Sequence, residues 1–321
     1  MAQEGTLRVD NEAELERRVA IGDAYEASQL YLSQMGRLRQ QGRFVEAEDV
    51  GIRGSVALVR EGNASMATPL ALKVVESLTA RKAPVDEETC GRLSRLVAAF
   101  DKLPGATDAA DAADSAGQKL LVSGAALKFA SSQASPQASP PPPPRALLAL
   151  HGARASDLAA AGRYGEAAKH YARADQPEQY AALVKRWASK GYAGERDLFG
   201  ARCVLHLLAS SSPRAAAAAR RLYEELVAQG GLRGEGSKDA ATPLENFLTL
   251  TFKLLLLMES FSVGKTGAAA AYGALLQSYR PALMGRDPKV GLLAQRAGSA
   301  HFGWKPPPGP MQGLMDMFKA K

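Results

Sequence analysis

A chain of 321 residues with 46% hydrophobic side chains holds enough apolar material for one large core or two smaller ones, which excludes a disordered or fibrous protein. Aromatics are only 6% of residues, while Ala, Leu, Arg, Glu and Lys abound and no run is dominated by Val, Ile and Thr, so an all-α fold is expected. The formal charge of +7 gathers toward the C-terminus without basic blocks interleaved with aromatics, which argues against a nucleic-acid partner.

The opening stretch, MAQEGTLRVDNEAELERR, lacks the apolar run of a secretory leader. The longest apolar run, FLTLTFKLLLLM from Phe247, falls short of the roughly 20 residues that span a bilayer. Cys90 and Cys203 stand far apart with no CxxC pattern. A cytosolic protein from a reducing compartment, with no direct membrane insertion, is therefore expected.

Three stretches share one short phrase, a Gly, three variable residues and Glu-Ala: GDAYEASQLY from Gly22, GRFVEAEDVG from Gly42 and GRYGEAAKHY from Gly162. A Gly that ends one helix, a polar step and a Glu-Ala that opens the next is the junction of a tetratricopeptide-like hairpin. In the third copy Tyr164, Ala167, Ala168 and Tyr171 fall on one helical face, and in the second Phe44, Ala47 and Val50 nearly do. The starts do not follow the roughly 34-residue tetratricopeptide period, so the expected fold is an irregular α-solenoid of stacked antiparallel hairpins.

Further amphipathic segments continue the plan: LALKVVESLTARK from Leu70, EETCGRLSRLVAAF from Glu87, EQYAALVKRWASKG from Glu178, DLFGARCVLHLLA from Asp197 and AAARRLYEELVAQG from Ala217. Residues 131–145, SSQASPQASPPPPPR, break it, because consecutive prolines forbid helix and favour polyproline II. The organisation expected is an N-terminal solenoid half (1–130), a Pro-rich linker or loop (131–145) and a C-terminal half (146–321).

Little in the chain points to catalysis. SVGKTG from Ser262 has a Lys-Thr pair, but the leading Gly of a phosphate-binding loop would fall at Glu259, after a Leu-rich helix rather than a strand. His151, His170, His206 and His301 are dispersed, with no HExxH pair and no GxSxG elbow. No enzyme activity, metal or cofactor is expected.

Read end to end, the chain resembles the Golgi-to-ER traffic family of α-solenoid scaffolds from the guided entry of tail-anchored proteins pathway. The resemblance is carried in order by GDAYEASQLY, by YAALVKRWASKGYAGERDLFGARCVLHLLA, by TPLENFLTLTFKLL and by HFGWKPPPGPMQGLMDMF. It implies a cytosolic adaptor whose N-terminal half docks a tail-anchored-protein targeting ATPase and whose C-terminal half holds a ubiquitin-like-domain co-chaperone. On the ATPase side Gln29, Tyr31 and Arg37 fall on matching positions, while Ser28, Leu32 and Pro69 stand where the family tends to have His, Arg and an acidic residue. On the other side the candidates are Phe247, Leu250 and Leu254, which share a helical face, with Phe302, Trp304, Met311, Leu314 and Phe318 near the terminus. The rival reading is a generic tetratricopeptide-like peptide-binding adaptor, although Asn, which its carboxylate clamp needs, is scarce and scattered.

Overall fold

A computed structural model describes residues 23–101, 109–133, 142–210, 212–232, 241–261 and 265–306, and among these every regular element is helical. The chain divides into two compact units, Met1–Ala174 and Asp175–Lys321.

The first unit contains α1 (Ala24–Gln40), α2 (Phe44–Arg60), α3 (Ala64–Ala80), α4 (Glu87–Ala99), α5 (Ala109–Ser132), α6 (Arg145–Ala160) and α7 (Tyr164–Tyr171). The recurrent phrase explains the joints. Gly42, Gly62 and Gly162 adopt φ of 74°, 81° and 75°, the left-handed conformation that ends a helix without a Cβ clash. The next amide in each case closes back on the helix just ended, Arg43 on Leu38, Asn63 on Leu58 and Arg163 on Leu158. Arg43 then lays its guanidinium across Glu46, with hydrogen bonds of 2.8 and 2.7 Å, and Arg163 does the same to Glu166. Both glutamates sit in the first turn, where the helix dipole favours a negative charge.

Five positions after each Gly the alanines Ala27, Ala47, Ala67 and Ala167 are all fully buried at 0% exposure, so each helix can approach its neighbour closely there. Across α1, α2 and α3 the step is a regular one that the Glu-Ala phrase conceals. Each of these helices has 17 residues and their turns stand twenty positions apart, at Gly42, Gly62 and Lys82. The middle turn, Gly62-Asn63, lacks the Glu, and the last places Lys82 at φ 50° where its predecessors have Gly. The spacing therefore does not show in a search for the phrase.

Side-chain absence on α2 lets three helices meet. A Cβ at Gly54 would lie 2.6 Å from the Tyr31 ring of α1, and one at Gly51 would lie 2.6 Å from Val74 of α3. Buried on the same helix, Glu48 accepts hydrogen bonds from Arg81 at 2.8 Å, Ser77 at 3.1 Å and Arg92 at 3.3 Å, which joins α2 to α3 and α4. A carboxylate so deeply buried is tolerable only because it is paired and hydrogen-bonded.

Helix α6 packs on α4 and α5, and Leu150 belongs to the same core as Val122 and Phe129. Its first turn is capped from a distance: Glu87 of α4 accepts from the amides of Arg145 at 2.7 Å and Ala146 at 3.1 Å, since the preceding Pro144 offers no side-chain acceptor. The Pro-rich stretch thus connects two helices of one unit, and the compact units divide instead after Ala174.

The second unit contains α8 (Pro177–Ala188), a 3₁₀ turn (Ala193–Glu195), α9 (Arg196–Leu208), α10 (Pro213–Ala228), α11 (Pro243–Phe261), α12 (Lys265–Ser278), α13 (Arg280–Met284), α14 (Pro288–Ala297) and a π turn (Gly298–Phe302). Several begin at proline, whose fixed φ and missing N–H suit a first helical turn. Helix α9 is the hub, touched by α8, α10, α11 and α14, and it is apolar on most sides, with Leu198, Ala201, Cys203, Val204, Leu205, Leu207 and Leu208 buried. A second focus is Tyr272, stacked on Phe302 with ring centroids 4.3 Å apart and donating its hydroxyl to the Ala294 carbonyl at 2.9 Å. No helix among the described residues is long and apolar enough to cross a membrane.

Candidate docking surfaces

In the first unit, Gln29, Ser33 and Arg37 recur every four residues and form an exposed face of α1. Arg37 donates to the Ser33 hydroxyl at 3.3 Å, which holds the guanidinium along the helix. Tyr31 stands two positions beyond Gln29, about 200° round the helix, and is buried at 5% exposure against α2. Ser28 is also buried, donating to the Met66 carbonyl at 3.4 Å, and Leu32 packs on the core. Of the three ATPase-side candidates, then, Gln29 and Arg37 are on the surface and Tyr31 supports it from beneath.

Helix α3 presents its own exposed stripe of Ser65, Pro69, Leu72, Lys73 and Glu76. Lys73 bonds Glu76 at 2.7 Å, and Arg39 of α1 reaches Glu76 at 3.8 Å, so the two helices are linked at their outer edges. The hydrogen bond from Lys73, with the charges of Lys73 and Arg39 beside it, lowers the Glu76 carboxyl below its usual range. Pro69 occupies the same stripe, as an exposed residue within the helix.

In the second unit the candidate residues separate by depth. Phe247 is fully buried between Tyr272 and Tyr279, at ring-centroid distances of 6.1 and 5.9 Å, and Phe302 is fully buried on Tyr272. Leu250 is 37% exposed and Leu254 half-buried. Leu256 and Leu257, further along α11, are exposed as well, so the helix carries an apolar outer edge interrupted by Lys253. Trp304 is half-buried, its indole nitrogen 3.1 Å from where a Cβ at Gly273 would sit. Met311, Leu314 and Phe318 lie outside the described residues.

The histidines are tied into hydrogen bonds at several points, beginning with one buried pair. His151 and His170 bring their Nδ1 atoms to 3.0 Å, and Arg154 donates to His170 Nε2 at 3.3 Å while also bonding the Leu120 carbonyl and Ser123 hydroxyl. Because His170 Nε2 accepts, its Nδ1 carries the proton and donates to His151. Burial first, and the nearby arginine charges with it, push both imidazoles down to about 4. His301 bonds the Leu208 carbonyl at 2.8 Å and His206 is exposed. Lys265 and Thr266 of the Lys-Thr pair begin α12. Among the described residues no group of three or more His, Cys, Asp and Glu side chains could hold a metal ion.

Two features escape sequence reading. The Glu48 network joins residues up to 44 positions apart, and its only local signal is a charged residue on the buried stripe of α2. The second is a groove of about 460 Å³ bordered by α14 and Trp304, which arises where the chain doubles back after the π turn.

Comparison with known proteins gives a consistent picture. The family model described as Golgi to ER traffic protein 4 matches residues 41–320. The Golgi to ER traffic protein 4 homolog of Oryzias latipes is 28% identical over 313 residues, covering 96% of this chain and 85% of the relative. The homolog from Homo sapiens is 25% identical over 303 residues, covering 94% and 82%. Among solved structures, the crystal structure of C. therm. Get4 superposes with a TM-score of 0.68 at 20% identity, over 95% of this chain and 93% of that one, and supports the α-solenoid fold.

Proposed function

Since the chain belongs to the Golgi to ER traffic protein 4 family, we propose that it is a non-catalytic cytosolic adaptor for tail-anchored membrane proteins on their way to the ER. In this reading it bridges a targeting ATPase, docked on the N-terminal half, and a ubiquitin-like-domain co-chaperone, held by the C-terminal half. The observation that carries the proposal is the extent of the family match, which reaches into both compact units.

The surface chemistry supports the division of labour. Gln29 and Arg37 offer an exposed hydrogen-bonding and cationic face suited to an acidic protein surface, for which charge complementarity sets association rate and register. Leu250 and Leu254, with Trp304 and the terminal Met311, Leu314 and Phe318, supply apolar groups for the second partner, while Phe247 and Phe302 hold that surface in place from the core.

Binding of each purified partner to paired variants tests the proposal. Arg37→Glu should weaken the ATPase by tenfold or more and leave the co-chaperone unchanged, and Leu250→Asp should do the reverse. Wild-type protein that binds neither partner at low salt would overturn the reading.

A further inference from the structure

The loop between α8 and the 3₁₀ turn carries Tyr192, which at 81% exposure is the most open large apolar side chain among the described residues. The backbone beneath it is nonetheless fixed on both sides. Before it, the amides of Lys190 and Gly191 bond the Trp187 and Ala188 carbonyls at 3.0 and 3.1 Å, and Gly191 presses on Phe199, whose ring would lie 2.9 Å from a Cβ there. Phe199 in turn meets Trp187 edge to face, with ring centroids 5.2 Å apart. After it, the Tyr192 carbonyl accepts from the Glu195 amide at 2.9 Å. Arg286 donates to the Gly194 carbonyl, while its guanidinium forks onto Asp197 at 2.8 and 2.9 Å. A tyrosine held out on an ordered loop has little freedom to lose on binding beyond its own two χ angles, the property that makes exposed aromatics anchors of protein contacts.

The same end of α8 is basic. Lys185, Arg186 and Lys190 are exposed, and between Gln179 and Gly194 the chain has these three cations and no carboxylate. Lys185 lays its stem beside Gly231 at the end of α10, its Cγ 3.2 Å from where a Cβ would sit, with its ammonium left to the surface. Cations in a last helical turn suit the helix dipole, which accounts for Lys185 and Arg186. The dipole does not account for Lys190, which lies beyond the helix, or for the aromatic ring set in water two residues further on.

We propose that the Tyr192 loop and the basic end of α8 form a docking surface for an acidic peptide segment of a protein partner, with Tyr192 packed on an apolar side chain of that segment and the two lysines facing its carboxylates. Charge complementarity selects this occupant. Three cations are fewer than the about six to ten phosphate contacts of a nucleic-acid groove, and fewer than the about four to eight that hold a basic cluster on anionic lipid. The surface shares no residue with those on α1 and α11, and the inference stands independently of the family reading.

Fluorescence anisotropy of a labelled peptide, EELEELEELEEL, titrated with the full chain tests it. Binding should saturate at low salt and weaken as salt is raised. Tyr192→Ser should lower the affinity about fivefold, and Lys185→Glu combined with Lys190→Glu about tenfold, with most of the salt dependence lost in the second variant. These side chains are exposed, so both variants should keep the wild-type melting temperature. The same peptide with Ser at every Leu should bind wild-type protein about fivefold more weakly, a readout that depends on no variant's folding. Arg37→Glu and Leu250→Asp, on the surfaces given to the targeting ATPase and the co-chaperone, should bind the peptide as wild type does. Absence of saturable binding at low salt would overturn the proposal, as would affinities unchanged by the Tyr192 and lysine substitutions or a loss confined to Arg37→Glu or Leu250→Asp. Tighter binding of oligo(dT) or of phosphatidylserine vesicles through the same lysines would assign the patch to nucleic acid or membrane and overturn it equally.

Discussion

At the scale of single residues, the left-handed turns separate what a side chain contributes from what the backbone demands. Gly42, Gly62 and Lys82 close successive turns with the same hydrogen-bond pattern, and Ala83 bonds Leu78 at 2.9 Å as its counterparts do. Only Lys82 holds that conformation against the Cβ penalty, which is on the order of 1 kcal/mol. Lys82→Gly should therefore stabilise the first unit, by less than 1 kcal/mol because a Gly also gains freedom in the unfolded chain, whereas Gly42→Ala should cost about 1 kcal/mol. Urea titrations of the two variants check both signs, and a Lys82→Gly variant less stable than wild type would refute the account. The Gly and the Ala five positions later are legible in the sequence because local geometry alone sets their roles. Lys82 is not, since a lysine carries no local signal for a left-handed turn. The same distinction divides the docking candidates: helical spacing alone places Gln29 and Arg37 on one face and Tyr31 on the other, but the depths of Phe247 and Leu250, three positions apart, depend on which helices cover α11.

Between elements, α6 and α7 meet in part through an imidazole contact whose consequence appears in acid. His151 and His170 titrate near 4 in the folded chain and near 6.5 when unfolded, so between those values the unfolded state binds more protons. Stability is then fully present above about pH 6.5 and is lost as pH falls toward 4. Protonation puts a hydrogen on both Nδ1 atoms, ends their hydrogen bond, and adds charge beside Arg154 and Arg173. The two groups share one contact and titrate as a pair, and the loss across this window should be on the order of 3 kcal/mol. Replacing both with Gln should flatten the dependence of the unfolding midpoint on pH between 6.5 and 4, and an unchanged slope would show that other groups set it. No sequence signal foretells this pair, because the two histidines stand 19 positions apart in helices whose crossing brings them together.

For the whole molecule, the α-solenoid class follows from periodicity and turn chemistry, yet the division of the chain does not. Five consecutive prolines in residues 131–145 rule out helix locally, but they carry no information about whether the next helix returns to the same core. It does return: α6 brings Leu150 into the same core as Phe129 and Val122, and Glu87 caps it from α4. The prolines thus mark a break in secondary structure, while the compact units part between Ala174 and Asp175, where no composition shift announces it. Two fragments with different ends distinguish these divisions. A fragment of residues 1–174 retains every helix of its unit and should melt cooperatively by circular dichroism. A fragment of residues 1–141 lacks α6 and α7, leaves the faces of α4 and α5 uncovered, and removes Asp157, which accepts from Lys119 of α5, and Arg154, which donates to the Leu120 carbonyl and Ser123 hydroxyl of α5. Removing one stacked layer exposes its neighbour's apolar face, so the shorter fragment should melt at least 10 °C lower or without a cooperative transition. Equal melting of the two fragments would mean that α1 to α5 form a self-sufficient body and that the proline-rich stretch, after all, is where the molecule divides.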